Sequence, residues 1–471
     1  MLRFHQVSKY FGAQLLFSRI NWRVDPGQRI GLVGVNGSGK STLLRLCSAE
    51  LEPDEGYVER HPRLQVQYLP QMIKSDSLVS GGQKQFNSLR DLLMSRADLY
   101  LLDEPTNNLD EQRIEWLEDE LRRIHASLII VSHDRAFLDA TVERIVEVDS
   151  CNQSVIEYGG NYSAYMQTKQ FDFERTQRLY SEQQRRMRKL KSAVDELKQK
   201  ALATENSTVD DFYRGVSKRV AAAAKAREKR LHRMADSQHH IDKPPVQRVV
   251  RMPVPECARH KRLLIEMRGV VAGYQSVVLR NLNLTVESGQ RIAVVGSNGA
   301  GKSLLLRTLA AELEPLSGQI TRATNVQIGY LAQDRNLPAH KRLIDWFSNE
   351  IEASRATPGS ASKNAGQIRT YLHRFLFSGD DVFKRIGQLS GGEVTRLQLA
   401  VFIASGVELM VLDEPTNHLD PPSIESLETA LSQFDGALVI VSHDRAFRKR
   451  LNPQLTWTVQ EGSVGCSSYG F

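Results

Sequence analysis

The chain has 471 residues, 41% of them hydrophobic and 25% charged, with a formal net charge of +7. That length accommodates two or three domains, the composition is that of an ordinary globular protein, and no run approaches 18 consecutive apolar residues, so no transmembrane helix is encoded. Cys47, Cys151, Cys257 and Cys466 form no CxxC pair, which argues against a zinc site or a disulfide framework and points to a reducing, cytoplasmic setting.

Residues 1–12 read as strand and show no charged-then-apolar leader, so no secretory signal is expected. Arg29-Ile30-Gly31-Leu32-Val33 has the pattern of a short buried strand, and Thr42-Leu43-Leu44-Arg45-Leu46 reads as helix. Between them lies Gly34-Val35-Asn36-Gly37-Ser38-Gly39-Lys40-Ser41, a match to G-x-x-x-x-G-K-[ST]. Glycines let backbone N–H groups turn inward around phosphates where a side chain would collide. The helix N-terminus that follows favours anions. The lysine reaches the outer phosphates, and the hydroxyl can ligate Mg²⁺. The pattern recurs as Gly296-Ser297-Asn298-Gly299-Ala300-Gly301-Lys302-Ser303, after Arg291-Ile292-Ala293-Val294-Val295 and before a Leu-rich helix. Two matches in equivalent contexts point to bound nucleotide rather than to Gly-rich surface turns.

The rest of the chain repeats in the same order. Tyr68-Leu69-Pro70-Gln71 answers to Tyr330-Leu331-Ala332-Gln333, and Ser80-Gly81-Gly82 to Ser390-Gly391-Gly392. Leu102-Asp103-Glu104-Pro105 answers to Leu412-Asp413-Glu414-Pro415, and Ser132-His133-Asp134-Arg135 to Ser442-His443-Asp444-Arg445. This ordered set resembles the nucleotide-binding domain of the ATP-binding cassette superfamily, present twice over most of 1–150 and 263–471. The fold expected is α/β: two P-loop ATPase domains, the first with a truncated helical subdomain, joined by an antiparallel α-helical hairpin. The resemblance implies ATP and Mg²⁺. It places Gly34, Asn36, Gly37, Gly39, Lys40, Ser41, Thr42 and Gly296, Asn298, Gly299, Gly301, Lys302, Ser303 on the phosphates. Ser41, Gln71, Asp103, Ser303, Gln333 and Asp413 would serve the metal. Glu104 and Glu414 would be the catalytic carboxylates, His133 and His443 would stabilise the γ-phosphate, and Gln71 and Gln333 would sense it. Phe11 (or Tyr10) and Tyr274 stand near the place of an adenine-stacking aromatic. In this superfamily each nucleotide lies between one domain's phosphate loop and the other's Ser-Gly-Gly turn, so the Lys40 site would use Ser390, Gly391 and Gly392, and the Lys302 site Ser80, Gly81 and Gly82.

Spacing separates the halves. Lysine to glutamine is 31 residues in both (40 to 71, 302 to 333) and serine to aspartate is 23 in both (80 to 103, 390 to 413). Glutamine to serine is 9 in the first half (71 to 80) but 57 in the second (333 to 390). Nine residues cannot build the helical subdomain that positions the Ser-Gly-Gly turn in this family. The Lys302 site is therefore the one in question: either it is structurally compromised or a loop substitutes, and the Lys40 site is expected to retain more of its architecture.

Between the halves, Phe173, Tyr180, Met187, Val194 and Ala201 fall seven apart, with Leu190 and Leu197 between them, an a/d seam. Val220, Ala224, Leu231 and Met234 form a facing stripe, giving a hairpin with its tip near Asn206 to Tyr213. Residues 169–233 hold 18 Lys/Arg and 9 Asp/Glu, a density suited to phosphate backbones. The expected division is 1–160, 161–262 and 263–471. Two cassettes around a basic hairpin, without a membrane span, resemble the ABC-F group. This implies an ATPase of the translating ribosome, a general translation factor or an antibiotic-protection protein, with rRNA and tRNA as partners of the 169–233 linker. The alternative is an ATP-binding subunit serving a separate membrane protein, which a nearly missing helical subdomain disfavours. In a DNA-repair ATPase the coiled coil would interrupt a cassette, whereas here it joins two complete ones.

Overall fold

The computed structural model describes residues 1–12, 14–71, 81–107, 109–150, 152–207, 219–229, 262–332, 337–354, 365–417 and 419–469. It divides into two compact units, Met1–Ser163 with Arg248–Phe471, and Ala164–Gln247.

In the first half of the larger unit, strands β1 (Leu2–Phe11), β2 (Gln14–Val24) and β4 (Glu55–Arg60) make an antiparallel sheet in the order β2-β1-β4. A second sheet has the order β5 (Val66–Leu69), β6 (Leu99–Asp103), β7 (Ser127–Val131), β3 (Arg29–Val33), β8 (Arg144–Asp149) and β9 (Ser154–Gly159). All its pairings are parallel except the β8–β9 edge. β6 and β7 are buried at every residue, as expected of strands covered on both faces. Helices α1 (Lys40–Ser48), α2 (Gly81–Met94), α3 (Glu111–Arg123) and α4 (Arg135–Thr141) connect them.

The second half repeats both sheets. One is β11 (Val277–Glu287), β10 (Leu263–Gly273) and β13 (Ser317–Arg322). The other runs β14 (Ile328–Leu331), β15 (Leu409–Asp413), β16 (Ala437–Val441), β12 (Arg291–Val295), β17 (Leu455–Gln460) and β18 (Ser463–Ser468). α7 (Lys302–Leu309), α10 (Gly391–Ala404), α11 (Pro421–Ser432) and α12 (Arg445–Leu451) match α1 to α4. Among the described residues, only this half carries α8 (Leu343–Ser354), α9 (Ala365–Arg374) and the tight turns Gly379–Phe383 and Ile386–Gln388 between the glutamine and the Ser-Gly-Gly motif. Phe347, Phe375 and Phe377 bury that layer against α10 and β15. The first half passes from Gln71 to Ser80 in nine residues, so its helical subdomain is truncated, as the spacing indicated.

In the smaller unit α5 (Tyr162–Ser207) runs 46 residues, about 69 Å at 1.5 Å per residue. Residues 219–229 are also helical (α6). The seam positions Phe173, Tyr180, Met187, Leu190 and Leu197 are partly covered, Val194 and Ala224 are buried, and Lys198 Nζ pairs with Glu228 at 2.8 Å. Arg185, Arg186, Arg188, Lys189 and Lys191 face solvent. The hairpin tip beyond Ser207, and Leu231 and Met234, lie outside the described residues. Among the described residues, no helix is long and apolar enough to cross a membrane.

Phe347 is fully buried with its ring 5.7 Å from Tyr371. Phe347→Ala should cost about 3–5 kcal/mol, read as a lower urea midpoint.

Candidate functional site: two phosphate loops facing opposed cassettes

Each glycine-rich loop leaves the C-terminal end of a buried parallel strand and opens a helix. Gly39 has φ +102, and a Cβ there would lie 2.7 Å from the Phe17 ring. Both the left-handed backbone and the close approach require glycine. Lys40 Nζ folds back on the loop, donating to Gly34 O at 2.9 Å and Val35 O at 3.1 Å. Lys302 does the same with Gly296 O at 2.7 Å and Ser297 O at 3.1 Å. Burial pushes both ammonium groups below the usual lysine range. Glu104, Asp420 and Asp103 oppose this at Lys40, and Glu414, Asp110 and Asp413 oppose it at Lys302.

β6 and β15 deliver the carboxylates. Burial raises Asp103 and Asp413, while the Ser41 and Ser303 hydroxyls hold them down by hydrogen bonding. Asp103 Oδ2 is buried without a hydrogen-bond partner. A hydroxyl and a carboxylate with a spare lone pair are the donor set that a hard cation such as Mg²⁺ takes, so these residues fit that ion.

Glu104 and Glu414 lie in the left-handed backbone region, at φ 52 and 47, a conformation costly for a side chain of this size and concentrated at functional sites. Their N–H groups donate to Val131 O and Val441 O, both at 2.9 Å, and buried Gln85 donates to Glu104 O at 3.1 Å. Each turn is thus held from the neighbouring strand. Burial pushes Glu104 up to about 8 and Glu414 up to about 7. His133 Nε2 stands 3.2 Å from Glu104 Oε1, and His443 Nε2 3.3 Å from Glu414 Oε1. Burial, then Lys302 and Arg448, pushes His443 down to about 4.

Charge also crosses between the halves. Asn298 N donates to Asp110 Oδ2 at 3.4 Å, with Asp110 also capping α3. Its counterpart Asp420 caps α11 and is felt by Lys40. Ser390 caps α10 in a reciprocal pair with Glu393, and a Cβ on Gly392 would meet Ser423 Oγ of α11 at 2.4 Å. The second Ser-Gly-Gly turn therefore packs against the helix capped by Asp420, whose charge is felt by Lys40. Arg135 spans both Glu428 oxygens at 3.1 and 3.3 Å, Arg445 pairs with Glu118, and Arg448 donates to Glu111 at 2.8 Å.

The loop residues, Asp103, Glu104 and His133 thus gather at one end of the first parallel sheet, and their counterparts at one end of the second. Gln71 is exposed just beyond β5. Gly81 and Gly82 open α2, whereas Ser80 and Gln333 lie outside the described residues. Phe11 and Tyr274 are 52% and 57% exposed, so neither is a core residue, and the Tyr274 hydroxyl accepts from Arg307 at 3.3 Å. Sequence reasoning missed Gln85, Asp110, Asp420 and the arginine–glutamate bridges. The repeated Leu-Asp and His-Asp-Arg steps were the available signal.

Two sequence models described as ABC transporter match, one at residues 17–77 and 279–417 and the other at 148–251. Ribosome protection protein VmlR of Bacillus subtilis is 31% identical, the alignment covering 93% of this chain and 83% of VmlR. The chain belongs to the ATP-binding cassette family, in its tandem F-type branch. YheS of Escherichia coli K12 is 32% identical over 94% of this chain and 76% of its own. ABC transporter F family member 2 of Arabidopsis thaliana is 29% identical over 96% and 75%. The archaeal ribosome recycling factor aABCE1, solved with stalk protein aP1, has the same fold, with TM-score 0.62 at 17% identity over 98% of this chain and 89% of that one. Both sheets and both phosphate loops are those of ABC ATPases, and ATP hydrolysis is the chemistry they support.

Within this cassette pair, burial and then Asp444 across the interface raise Asp134 to about 6, while the Phe137 amide and Arg445 oppose and Glu118 adds to the rise. A raised carboxylate stabilises the fold fully below its unfolded value of 3.8 and loses that contribution as pH rises through 6. Asp134→Asn keeps a capping oxygen without the charge. The nucleotide-free variant should therefore be roughly 2 kcal/mol more stable than the parent at pH 8, with the gain vanishing near pH 4 in thermal melts.

Proposed function

We propose that the chain is a cytoplasmic ATPase that binds the ribosome in its ATP-bound state and leaves on hydrolysis. The observation that carries this is the hydrogen bond from Asn298 of the second phosphate loop to Asp110 of the first half, in a chain whose linker presents an exposed run of arginines and lysines. The names of two similar proteins, ribosome protection protein VmlR and ribosome recycling factor aABCE1, agree with it. Each nucleotide would lie between one half's phosphate loop and the other's Ser-Gly-Gly turn, so ATP bridges the halves and favours their closed arrangement.

Lys40 and Lys302 would leave their loop carbonyls for the outer phosphates. Asn36, Gly37, Gly39 and their counterparts Asn298, Gly299 and Gly301 would supply backbone donors, and Thr42 a hydroxyl that Leu304 does not offer at the second site. Mg²⁺, held through Ser41 and Asp103 or Ser303 and Asp413 with Gln71 or Gln333 nearby, supplies charge neutralisation on the phosphates. Glu104 and Glu414 would orient a water and take its proton, a role suited to carboxyls raised toward neutrality. His133 and His443 would hold the γ-phosphate, and Phe11 and Tyr274 would stack adenine. The Lys302 site would be the weaker, because only nine residues separate Gln71 from Ser80. The basic linker would meet rRNA or tRNA through phosphates, which makes binding salt-dependent.

The test is ribosome co-sedimentation with ATP, using Glu104→Gln, Glu414→Gln to trap the closed state. ATP-dependent pelleting that weakens steeply with salt is expected. In ATPase assays Glu104→Gln alone should remove the larger share of turnover, at least tenfold, and Glu414→Gln the smaller. ATP binding without ribosome pelleting at low salt would overturn the ribosomal reading and direct the search to a membrane partner.

A further inference from the structure

Among the described residues three arginine–glutamate bridges join the halves, and the internal repeat relates only two of them. Arg135–Glu428 and Arg445–Glu118 exchange under it, since 135 answers to 445 and 118 to 428. The third, Arg448–Glu111, has no equivalent, because the matching positions are Leu138 and Pro421, which cannot form an ion pair. Arg448 is 7% exposed and lies on α12, five residues beyond His443. Glu111 opens α3 beside Asp110, whose carboxylate accepts from Asn298 N of the second phosphate loop. The start of α3 is therefore clamped twice against the second half, by Asn298 and by Arg448. Arg448 is also close enough for its charge to be felt by Lys302, Glu414 and His443. A buried guanidinium is costly unless paired. Its pairing here places an extra cation at the Lys302 site alone, the site whose Ser-Gly-Gly turn follows the short nine-residue interval.

We propose that Arg448 is a positioning residue of the Lys302 nucleotide site: through Glu111 it holds the first half's Asp110–Glu111 turn against the second phosphate loop, a one-sided clamp that lets this site close despite the truncated helical subdomain. The inference rests on the shared-nucleotide reading above and assigns the asymmetry to one residue pair. An arginine suits the role better than a lysine would, since its planar fork combines burial with directed hydrogen bonds to carboxylate.

The experiment uses the full chain in the non-hydrolysing Glu104→Gln, Glu414→Gln background, with a donor–acceptor fluorophore pair, one on each half, reporting closure during ATP titration. Arg448→Leu, which installs the residue of the first half, should raise the ATP concentration for closure of the second, weaker phase on the order of tenfold, the worth of a charge-assisted hydrogen bond. Glu111→Gln should do nearly the same, and the double variant no more than either. Arg448→Lys should recover part of the loss. Equal weakening of both phases, with a matching drop in melting temperature, would show a general structural role and overturn the proposal. So would additive effects of Arg448→Leu and Glu111→Gln, or unchanged closure. A parent protein that binds ATP without closing would instead defeat the shared-nucleotide reading.

Discussion

Burying positive charge is the constraint on which this structure depends. A phosphate-binding lysine must be held in a water-poor site, where an unpaired ammonium is costly. Lys40 and Lys302 meet that requirement with loop carbonyls, with the two carboxylates at the end of the neighbouring strand, and with an aspartate from the other half. No single cassette supplies all of these groups. Joining both halves in one chain makes the second contribution intramolecular, so the site does not depend on protomer concentration.

The same constraint explains the strained glutamates. A left-handed residue directly after a buried strand turns the backbone sharply, bringing the Glu104 and Glu414 side chains under the following histidines. Hydrogen bonds from adjacent strands hold the turn, and Gln85 adds a further one in the first half. The second half has Thr395 at the matching position, its hydroxyl bonded to Gly391 O within its own helix. The residues at this position thus differ in kind even where the motif letters agree.

Much of this was legible in the sequence because phosphate loops, Asp-Glu strand ends and His-Asp turns are local patterns with narrow chemistry. The truncated helical subdomain was legible too, since counting residues between repeated motifs needs no structure. The a/d seam of α5 was readable from its period, and its seam positions are less exposed than the arginines between them. What sequence could not show is pairing across the halves. Asp110 looks like an ordinary helix cap, and it is one; its second partner, Asn298, lies 188 residues away. Glu118 and Glu428 sit on amphipathic helices among other acids, and only the packing of α4 and α12 selects them. Gln71 and Ser80 could be named from motif alone, but the interval between them gives no periodic signal to read.

The internal repeat also separates what the fold requires from what one half has specialised. Features present twice, such as the lysine folded on its loop, the serine–aspartate pair and the reciprocal arginine bridges, come with the duplicated domain and the packing of its two copies. Features present once need another cause. The helical layer packed by Phe347 and Phe375 lies within the second half, while the Arg448–Glu111 bridge joins α12 to α3 of the first; in the shared-nucleotide reading proposed above they bear on opposite sites, the layer on the Lys40 site and the bridge on the Lys302 site. In that reading, the site whose Ser-Gly-Gly turn lacks a full helical layer is the one that has the additional hold. An ion pair that spans the halves is a small change in sequence, a leucine-to-arginine and a proline-to-glutamate difference, with an effect at the point where support is shortest.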